Sequence, residues 1–565
     1  MDLGLRPRRS LHPVWPEITP KYVNEASVYH LTDYNNTNVN RPKIKEKRDR
    51  MKQFRKETKK FYGRAINSFD RYCQNSTLHG LKYVGDENIS TTERLFWLLA
   101  FISAICFSTY FITSLYTKFN NSPVIISFSP TPVTLDTIPF PAITICNVNI
   151  ATKMSAERIL NFGSEVDKRL LSDMCNLNNS FSNETDEDTA DWKTVRKFII
   201  KINQRCDEMF KICRWENKDI DCKFFINSVL TDEGYCCSFN RLPSNYSLRQ
   251  TADDMNETFY NKRVDWNPEV GYPPDADADV LPKRSYGAGS HLGLTLVLDA
   301  DLAQYYCSST SSTGFKALIS SPIESPKVAD FGFLIPPGDE TRVTIEPIIM
   351  DATKGIKGID IKKRQCFFNN ERYLQFYRLY SERNCKLECQ ANFTLNLCGC
   401  IPYYLPKNMS TKICDKKKEE CSNRAKYIIE KYTKERRECN CLPSCFDINY
   451  TKKGYSMGKI TKKYNSTVNS DIMQNATFDY FAENMAVVHF FFSNDKFIKQ
   501  TKSELYGFSE FLSNTGGLLG LFLGFSFLSA IEIFYFIFLK TSCSFYKKER
   551  NKRDMKPISK LPFLQ

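Results

Sequence analysis

An apolar segment near the carboxyl end of the chain contains residue types that a simple hydrophobic helix does not require. The segment Gly516–Ile533 reads GGLLGLFLGFSFLSAIEI and includes four glycines, two serines and one glutamate. Gly516, Gly520 and Gly524 lie four residues apart, so a continuous helix would place all three on one face. Such a face lets membrane helices pack closely, and one interpretation is therefore a packing seam.

Ser526 and Glu532 favour a second interpretation, an ion pathway. A carboxylate inside an apolar span is costly unless it faces water, a partner or an ion. If several copies of the helix meet on an axis, exposed carbonyls and the Ser526 hydroxyl can replace the water around a small cation. Gly516, Gly520 and Glu532 would then line the pore, and Glu532 would supply negative potential at its inner end. Because one chain offers one such helix, this pore would need several subunits.

Two apolar blocks are long enough to cross a membrane. Leu95–Thr117 contains no charged residue, and Phe511–Leu539 contains only Glu532, whereas a span needs about 20 residues. Basic residues cluster in Arg41–Arg64 and Lys547–Lys556, outside the two blocks. Positive flanks stay in the cytosol, so both termini should be cytosolic and the intervening region extracellular. Despite a net charge of +14, these positions favour anionic membrane lipid over nucleic acid as the partner.

The sequence therefore predicts an α+β membrane protein with five regions. They are a cytosolic region 1–93, a first span 94–117, an extracellular domain 118–509, a second span 510–539 and a cytosolic tail 540–565. In the extracellular domain, apolar and β-branched runs predict strands over 292–300, 341–349 and 486–492. Helices are expected over Tyr373–Cys389 and Ser422–Thr433, and residues 151–235 are expected to be largely helical and polar.

Cysteine usage agrees with an extracellular domain, because 18 of the 21 cysteines lie between Cys146 and Cys445. Ten of these fall within residues 366–445. They are Cys366, Cys385, Cys389, Cys398, Cys400, Cys414, Cys421, Cys439, Cys441 and Cys445. Closely spaced cysteines can bind zinc, but this region contains no histidine. We therefore predict no metal and five disulfides that staple a small helical module, with the pairing left open.

Glycosylation motifs provide a second indication of the same topology. Ten Asn-x-Ser/Thr motifs lie in the predicted extracellular domain, at Asn120, Asn178, Asn183, Asn245, Asn256, Asn392, Asn408, Asn449, Asn465 and Asn475. Three more, at Asn35, Asn75 and Asn88, would lie in the cytosol and remain unmodified.

Two acidic runs have both a functional and a simpler interpretation. The DADAD run at 275–279 could hold calcium, and ETDEDTAD at 184–191 could sense protons or cations. The simpler interpretation, a solvated loop or surface, is favoured for both runs. Catalytic motifs such as GxxxxGK[ST], HExxH and GxSxG are absent from the sequence. We therefore expect neither an enzyme nor a bound cofactor, apart from a permeant sodium ion.

Several of these motifs resemble those of the degenerin/epithelial sodium channel superfamily, most closely its insect pickpocket branch. The resemblance covers about residues 70–540. The matching elements are LHGLKYV at 78–84, FPAITICNVN at 140–149, GYCCSFN at 234–240, the cysteine-rich region 366–445 and the segment Gly516–Ile533. The resemblance implies a trimer of like or mixed subunits, a hand-shaped extracellular domain with 366–445 as its thumb, and amiloride-blocked sodium permeation.

The resemblance also assigns roles to individual residues. Gly524, Phe525 and Ser526 match the family's selectivity filter, although many relatives have a small residue where Phe525 stands. His79 and Gly80 match the motif that controls gating from the cytosolic side. Ser513 matches the small residue at the outer pore mouth, where bulky substitutions tend to hold such channels open. The doubled Cys236–Cys237 and Cys307 indicate an additional disulfide outside the thumb.

The predicted function is a subunit of a trimeric, amiloride-sensitive, sodium-permeable channel in the plasma membrane, gated by an extracellular stimulus. The cell would be a sensory neuron or an epithelial cell. The alternative is a non-conducting accessory subunit in a mixed channel, for which Phe525 is the main argument. An ATP-gated channel, which also has two spans, would lack the His-Gly and Gly-x-Ser motifs.

Overall fold

The structure, a computed structural model, describes residues 69–121, 123–177, 191–249, 264, 266–277, 280–436, 439–461, 477–505, 507–540, 542, 543 and 546. The chain divides into two units. Residues 1–105 and 523–565 belong to the first unit, and residues 106–522 form the second.

The helices of the described residues lie at both ends of the chain and in two groups within the second unit. They are α1 (69–75), α2 (Leu81–Val84), α3 (Thr91–Asn121), α4 (Lys153–Phe162), α5 (Glu165–Met174), α6 (Trp192–Ile202), α7 (Cys206–Met209), α8 (Ser244–Ser247), α9 (Val328–Phe331), α10 (Ile361–Arg364), α11 (Glu382–Cys398), α12 (Lys416–Arg436), α13 (Phe478–Asn484), α14 (Phe508–Leu523) and α15 (Phe527–Phe534), which continues as a π-helical turn over Tyr535–Leu539.

The strands all lie in the second unit. They are β1 (Val124–Phe128), β2 (Val133–Thr134), β3 (Ala142–Asn147), β4 (Asn149–Thr152), β5 (Phe210–Trp215), β6 (Lys218–Ile220), β7 (Ile226–Thr231), β8 (Gly234–Phe239), β9 (Leu294–Asp299), β10 (Tyr305–Ser308), β11 (Phe315–Ser320), β12 (Phe333–Ile335), β13 (Asp339–Ala352), β14 (Asp447–Lys459), β15 (Met485–Phe492), β16 (Lys496–Phe497) and β17 (Gln500–Glu504).

Two sheets enclose the main core of the second unit. The larger follows the order β1-β17-β13-β15-β9-β5-β6, with β14 on the other edge of β13, and the smaller follows β12-β11-β3-β8-β7. The strands predicted over 292–300, 341–349 and 486–492 are confirmed as β9, β13 and β15. Aromatic side chains fill the space between the sheets: the Phe140 ring lies 4.9 Å from the Trp215 ring and 5.2 Å from that of Phe492, centroid to centroid.

All 18 cysteines of residues 146–445 are paired in disulfides. The module 366–445 contains Cys366–Cys445, Cys385–Cys441, Cys389–Cys439, Cys398–Cys421 and Cys400–Cys414. The other four are Cys146–Cys236, Cys175–Cys307, Cys206–Cys237 and Cys213–Cys222. Cys236, Cys237 and Cys307 thus belong to three disulfides outside the module rather than to the one additional bond expected.

The predicted helix over Tyr373–Cys389 was wrong in its first half. The helix begins at Glu382, where the Ser381 hydroxyl accepts a hydrogen bond from the backbone N–H of Asn384 at 3.1 Å. The preceding residues stay non-helical because the Glu388 carboxylate accepts the backbone N–H groups of Gln375 and Phe376 at 2.9 and 3.0 Å. The second predicted helix is present but longer, and runs over Lys416–Arg436.

Residues 151–235 are helical only as far as Met209. From Phe210 onward the chain forms β5 to β8, so the expectation of a helical segment was wrong for this part. The alternating burial of Ile226–Thr231 accounts for the difference, because one face of β7 packs on the core. The Cys213–Cys222 disulfide closes the turn that contains β6.

The apolar blocks also differ from a pair of simple helices. Within the described residues, Thr91–Asn121 is the one continuous helix long and apolar enough to cross a membrane, by length and composition alone. The second block was expected to be continuous, but α14 ends at Leu523 and α15 begins at Phe527. The two helices are long and apolar enough to cross a membrane only when they are taken together as one interrupted span.

Candidate functional site

The interruption at Gly524–Ser526 follows from the residue types in the sequence. Gly524 adopts φ +64°, a left-handed conformation that glycine enters without steric cost. Ser526 is extended and caps α15, because its hydroxyl accepts the Ser529 amide at 3.3 Å while its own amide donates to the Ser529 hydroxyl at 3.2 Å. Gly524 is therefore outside a helix, and the expectation that it shares a helix face with Gly516 and Gly520 was wrong.

The predicted gating residues lie directly against this break, within the first unit. The His79 backbone N–H donates to the Leu523 carbonyl at 3.0 Å, satisfying one of the carbonyls left unpaired at a helix end. A Cβ at Gly524 would overlap the imidazole ring of His79. Gly80 is also left-handed, at φ +81°, and starts α2. A side chain at 524 would therefore require the His79 ring to move.

A second contact joins the same two segments through side chains. The Thr77 amide and hydroxyl both donate to Oε2 of Glu532, at 3.2 and 3.0 Å. The Thr77 hydroxyl also shares a hydrogen bond of 2.8 Å with Ser529, which is 1% exposed. A continuous series of hydrogen bonds therefore runs from Ser526 through Ser529 and Thr77 to Glu532. Sequence reasoning selected Ser526 and Glu532 but missed Thr77 and Ser529.

With this geometry in place, comparison with known proteins identifies the family. The family model for amiloride-sensitive sodium channels matches residues 72–536. The chain belongs to the amiloride-sensitive sodium channel family. It is 38% identical over 497 residues to Pickpocket protein 28 of Drosophila melanogaster, covering 86% of this chain and 81% of that protein.

More distant members of the sodium channel family match over a similar length. Sodium channel protein Nach of Drosophila melanogaster is 24% identical, covering 84% of this chain and 88% of its own length. Acid-sensing ion channel 1C of Danio rerio is 25% identical, covering 83% and 82% respectively. These relatives are ion channels by name and not enzymes, as the absence of catalytic motifs predicted.

Aromatic contacts hold the amino-terminal part of this sodium channel family domain in place. The Tyr72 and Phe536 rings meet edge to face at 5.2 Å, and Tyr83 stacks on Trp97 at 4.6 Å. Cys73 is buried, and burial raises the pKa of its thiol to about 11. The thiol is therefore protonated and unreactive at neutral pH.

The remaining predicted site residues differ in position and exposure. Phe525 is half-buried within the break, whereas Ser513 is exposed on α14, three residues before Gly516. Among the described glycosylation motifs, Asn120, Asn392, Asn408 and Asn449 are exposed and Asn245 is half-buried.

Several predicted features lie outside the described residues. These are Asn178, Asn183, Asn256, Asn465 and Asn475, the basic segments 41–64 and 547–556, most of 184–191, and two residues of 275–279.

Proposed function

We propose that this chain is a subunit of a trimeric, amiloride-sensitive, sodium-permeable channel of the plasma membrane, opened by an extracellular stimulus at a sensory or epithelial cell. Gly524, Phe525 and Ser526 would form the selectivity filter, and His79 and Gly80 would control its opening. The observation that carries the proposal is the helix break at Gly524–Ser526, because a break at membrane depth is tolerated only where it lines a cavity or packs in protein. Non-helical carbonyls at that depth are available to a partly dehydrated cation.

Residues 118–509, which make up most of the second unit, would be the extracellular domain, with both termini in the cytosol. Its 18 cysteines form nine disulfides, which persist in an oxidising compartment. The ten glycosylation motifs of this unit, four of them on exposed described asparagines, support the same orientation. A stimulus at this unit would act on α3 and α14 through β1 and β17, which pair with each other close to both helices in sequence.

A second candidate function is that of a non-conducting partner in a mixed trimer. The observation that favours it is Phe525, because this large side chain occupies a filter position where many relatives have a small residue. In that case the chain would modify the pore of a related subunit without supporting current alone.

Expression of the chain alone, carrying Ser513→Phe, tests these alternatives without knowledge of the stimulus. The bulky residue should hold the pore open, and we expect a constitutive, sodium-selective current that amiloride blocks. The conservative variant Ser513→Ala should remain silent, and Gly524→Asp in the Ser513→Phe background should abolish the current. Surface expression of Ser513→Phe without current would contradict a self-sufficient channel and favour the accessory role.

A further inference from the structure

A polar cavity of about 820 Å³ lies in the second unit, where helices α4, α6 and α7 meet the ends of strands from both sheets. Its size falls within the range of about 300–1,000 Å³ that small-molecule sites occupy. None of the predicted pore or gating residues lines it. The cavity is therefore a candidate for a separate ligand.

The floor of this cavity is built from side-chain amides that hold one another in place. The Asn147 amide donates to Oε1 of Gln204 at 2.7 Å, and the Gln204 amide donates to the Asp299 carbonyl at 3.0 Å. The Asn149 amide donates to the Gln304 carbonyl at 3.0 Å. Because these amides are buried and bonded, the floor is rigid before any ligand arrives.

Asp301, at the edge of the floor, has features of a ligand-binding carboxylate. It adopts φ +45°, which is uncommon for a residue with a side chain, and its carboxylate makes no capping bond to the short helix Leu302–Gln304 that it precedes. Its backbone N–H donates to Asp299 at 3.0 Å. Non-glycine residues held in this backbone conformation cluster at functional sites.

One nearby cation, Lys211, acts on the Asp301 carboxylate and opposes the rise in its pKa. Among the described residues the carboxylate forms no hydrogen bond or ion pair, whereas the neighbouring Asp299 binds Lys211 at 3.4 Å and the Tyr480 hydroxyl at 3.1 Å. Burial, followed by the nearby Asp299 charge, raises the pKa of Asp301. A cationic ligand group would relieve this repulsion. The described residues contain no cluster of three or more acidic, Cys or His side chains able to hold a metal ion, which favours an organic cation.

Another part of the lining carries positive charge. Arg196 and Lys201 project from α6, and Arg205 follows it. Lys201 pairs with Asp167 at 3.0 Å and Arg205 with Asp207 at 3.0 Å, and pairs this exposed are weak enough to share an additional anionic partner. The lining therefore carries both signs of charge. The acidic residues are Asp299, Asp301 and Glu208, and the basic ones are Arg196, Lys201, Arg205 and Lys211.

We propose that this cavity binds a short peptide or an amino-acid-like zwitterion, with its ammonium group on Asp301 and its carboxylate facing Arg196 and Arg205. The rigid amide floor shapes the space between the two charged ends. Charge-assisted hydrogen bonds at both ends would supply most of the orientation.

Direct binding to the purified full-length chain tests the proposal, and requires no current. The probes are the twenty tripeptides Gly-Xaa-Gly with free termini, titrated up to millimolar concentration. We expect at least one tripeptide to bind, and its amino-terminally acetylated form to bind at least about tenfold more weakly, because charged hydrogen bonds contribute about 1.5–3 kcal/mol. Amidation of the carboxyl terminus should weaken binding as well.

The Asp301→Asn variant should bind the tripeptide about tenfold more weakly than the native chain. Asparagine tolerates the left-handed backbone, so the variant should keep the melting temperature of the native chain. The matched control is Asp219→Asn, an exposed carboxylate paired with Arg214 at 2.8 Å and outside the cavity, which should leave the affinity unchanged. The proposal is overturned if no tripeptide binds, or if Asp301→Asn binds the tripeptide as tightly as the native chain.

Discussion

At position 524 a side chain would meet both an unfavourable backbone and a neighbouring ring. Gly524 has a left-handed backbone, and a Cβ there would coincide with the His79 imidazole, whereas a Cβ at Gly517 would have no atom within 4 Å. We expect Gly524→Ala to displace His79 and to cost about 1–2 kcal/mol in backbone strain. In the Ser513→Phe background, it should reduce the current per surface channel severalfold.

Gly517→Ala is the matched control for this change. It adds the same methyl group to a helical glycine with open space around it, so the current should be nearly unaffected. Equal currents from the two variants would contradict a structural coupling between Gly524 and His79.

Thr77 provides a second test of the contact between the amino-terminal segment and the filter. Thr77→Val keeps the shape of the side chain but removes the hydroxyl that bonds Glu532 and Ser529. A hydrogen bond to a charged group contributes about 1.5–3 kcal/mol. We expect the variant to shift the reversal potential measured with sodium on one side and potassium on the other.

Thr77→Ser retains the hydroxyl and should restore the native reversal potential. If Thr77→Val changes only the amount of protein at the surface and not the reversal potential, Thr77 contributes to folding alone. A double variant with Glu532→Gln should show less than the summed effects, because both residues belong to one hydrogen-bonded series.

Residue types alone could predict part of this site. The glycines, Ser526 and Glu532 are conspicuous because an apolar helix does not need them. Thr77 and Glu532 lie 455 residues apart, and no local pattern links them. Ser529 lies in the same apolar segment, but its burial against Thr77 depends on packing that the sequence does not display.

At the scale of elements, strands were easier to predict than helix ends. A short, nearly continuous apolar run such as AVVHFFF is typical of a strand that is buried on both faces. The start of α11 depended instead on Glu388, which binds two backbone N–H groups upstream of the helix. The break between α14 and α15 was concealed by an unbroken apolar pattern, although glycine followed by serine is a common stop and start.

The junction at Glu324 links α11 with strands β14 and β17 and predicts a pH-dependent stability. Burial raises the pKa of Glu324 to about 7, while Arg383 opposes the shift and Asp447 and Glu382 add to it. Burial also raises the pKa of Asp447 and lowers the pKa of Lys502 on β17. The folded state therefore holds a proton on Glu324 that the unfolded state releases near pH 4.5.

Because the folded protein binds more protons than the unfolded chain between pH 4.5 and 7, this group destabilises the fold as the pH rises through that window. One pKa unit corresponds to about 1.4 kcal/mol, so the effect should reach about 3 kcal/mol above pH 7. The melting temperature of the full chain should fall between pH 5 and 7 relative to that of Glu324→Gln. A constant difference between the two across this range would contradict the raised pKa.

At the scale of the whole molecule, topology decides whether the proposed filter can conduct. Disulfides and basic flanks independently predict that residues 118–509 lie outside the cell and both termini inside. Asn408 is exposed in a loop of the second unit and Asn88 is exposed in the first, so the two motifs lie on opposite predicted sides of α3. Only asparagines that reach the secretory lumen receive glycans.

We therefore expect enzymatic deglycosylation to shift the gel mobility of the full chain expressed in animal cells, and Asn408→Gln to remove one increment of that shift. Asn88→Gln should leave the mobility unchanged. Loss of an increment in Asn88→Gln would place the first unit on the extracellular side. His79 would then face the outside of the cell, and a gating role from the cytosol would be untenable. The glycan pattern thus tests the orientation on which both the filter and its amino-terminal contact depend.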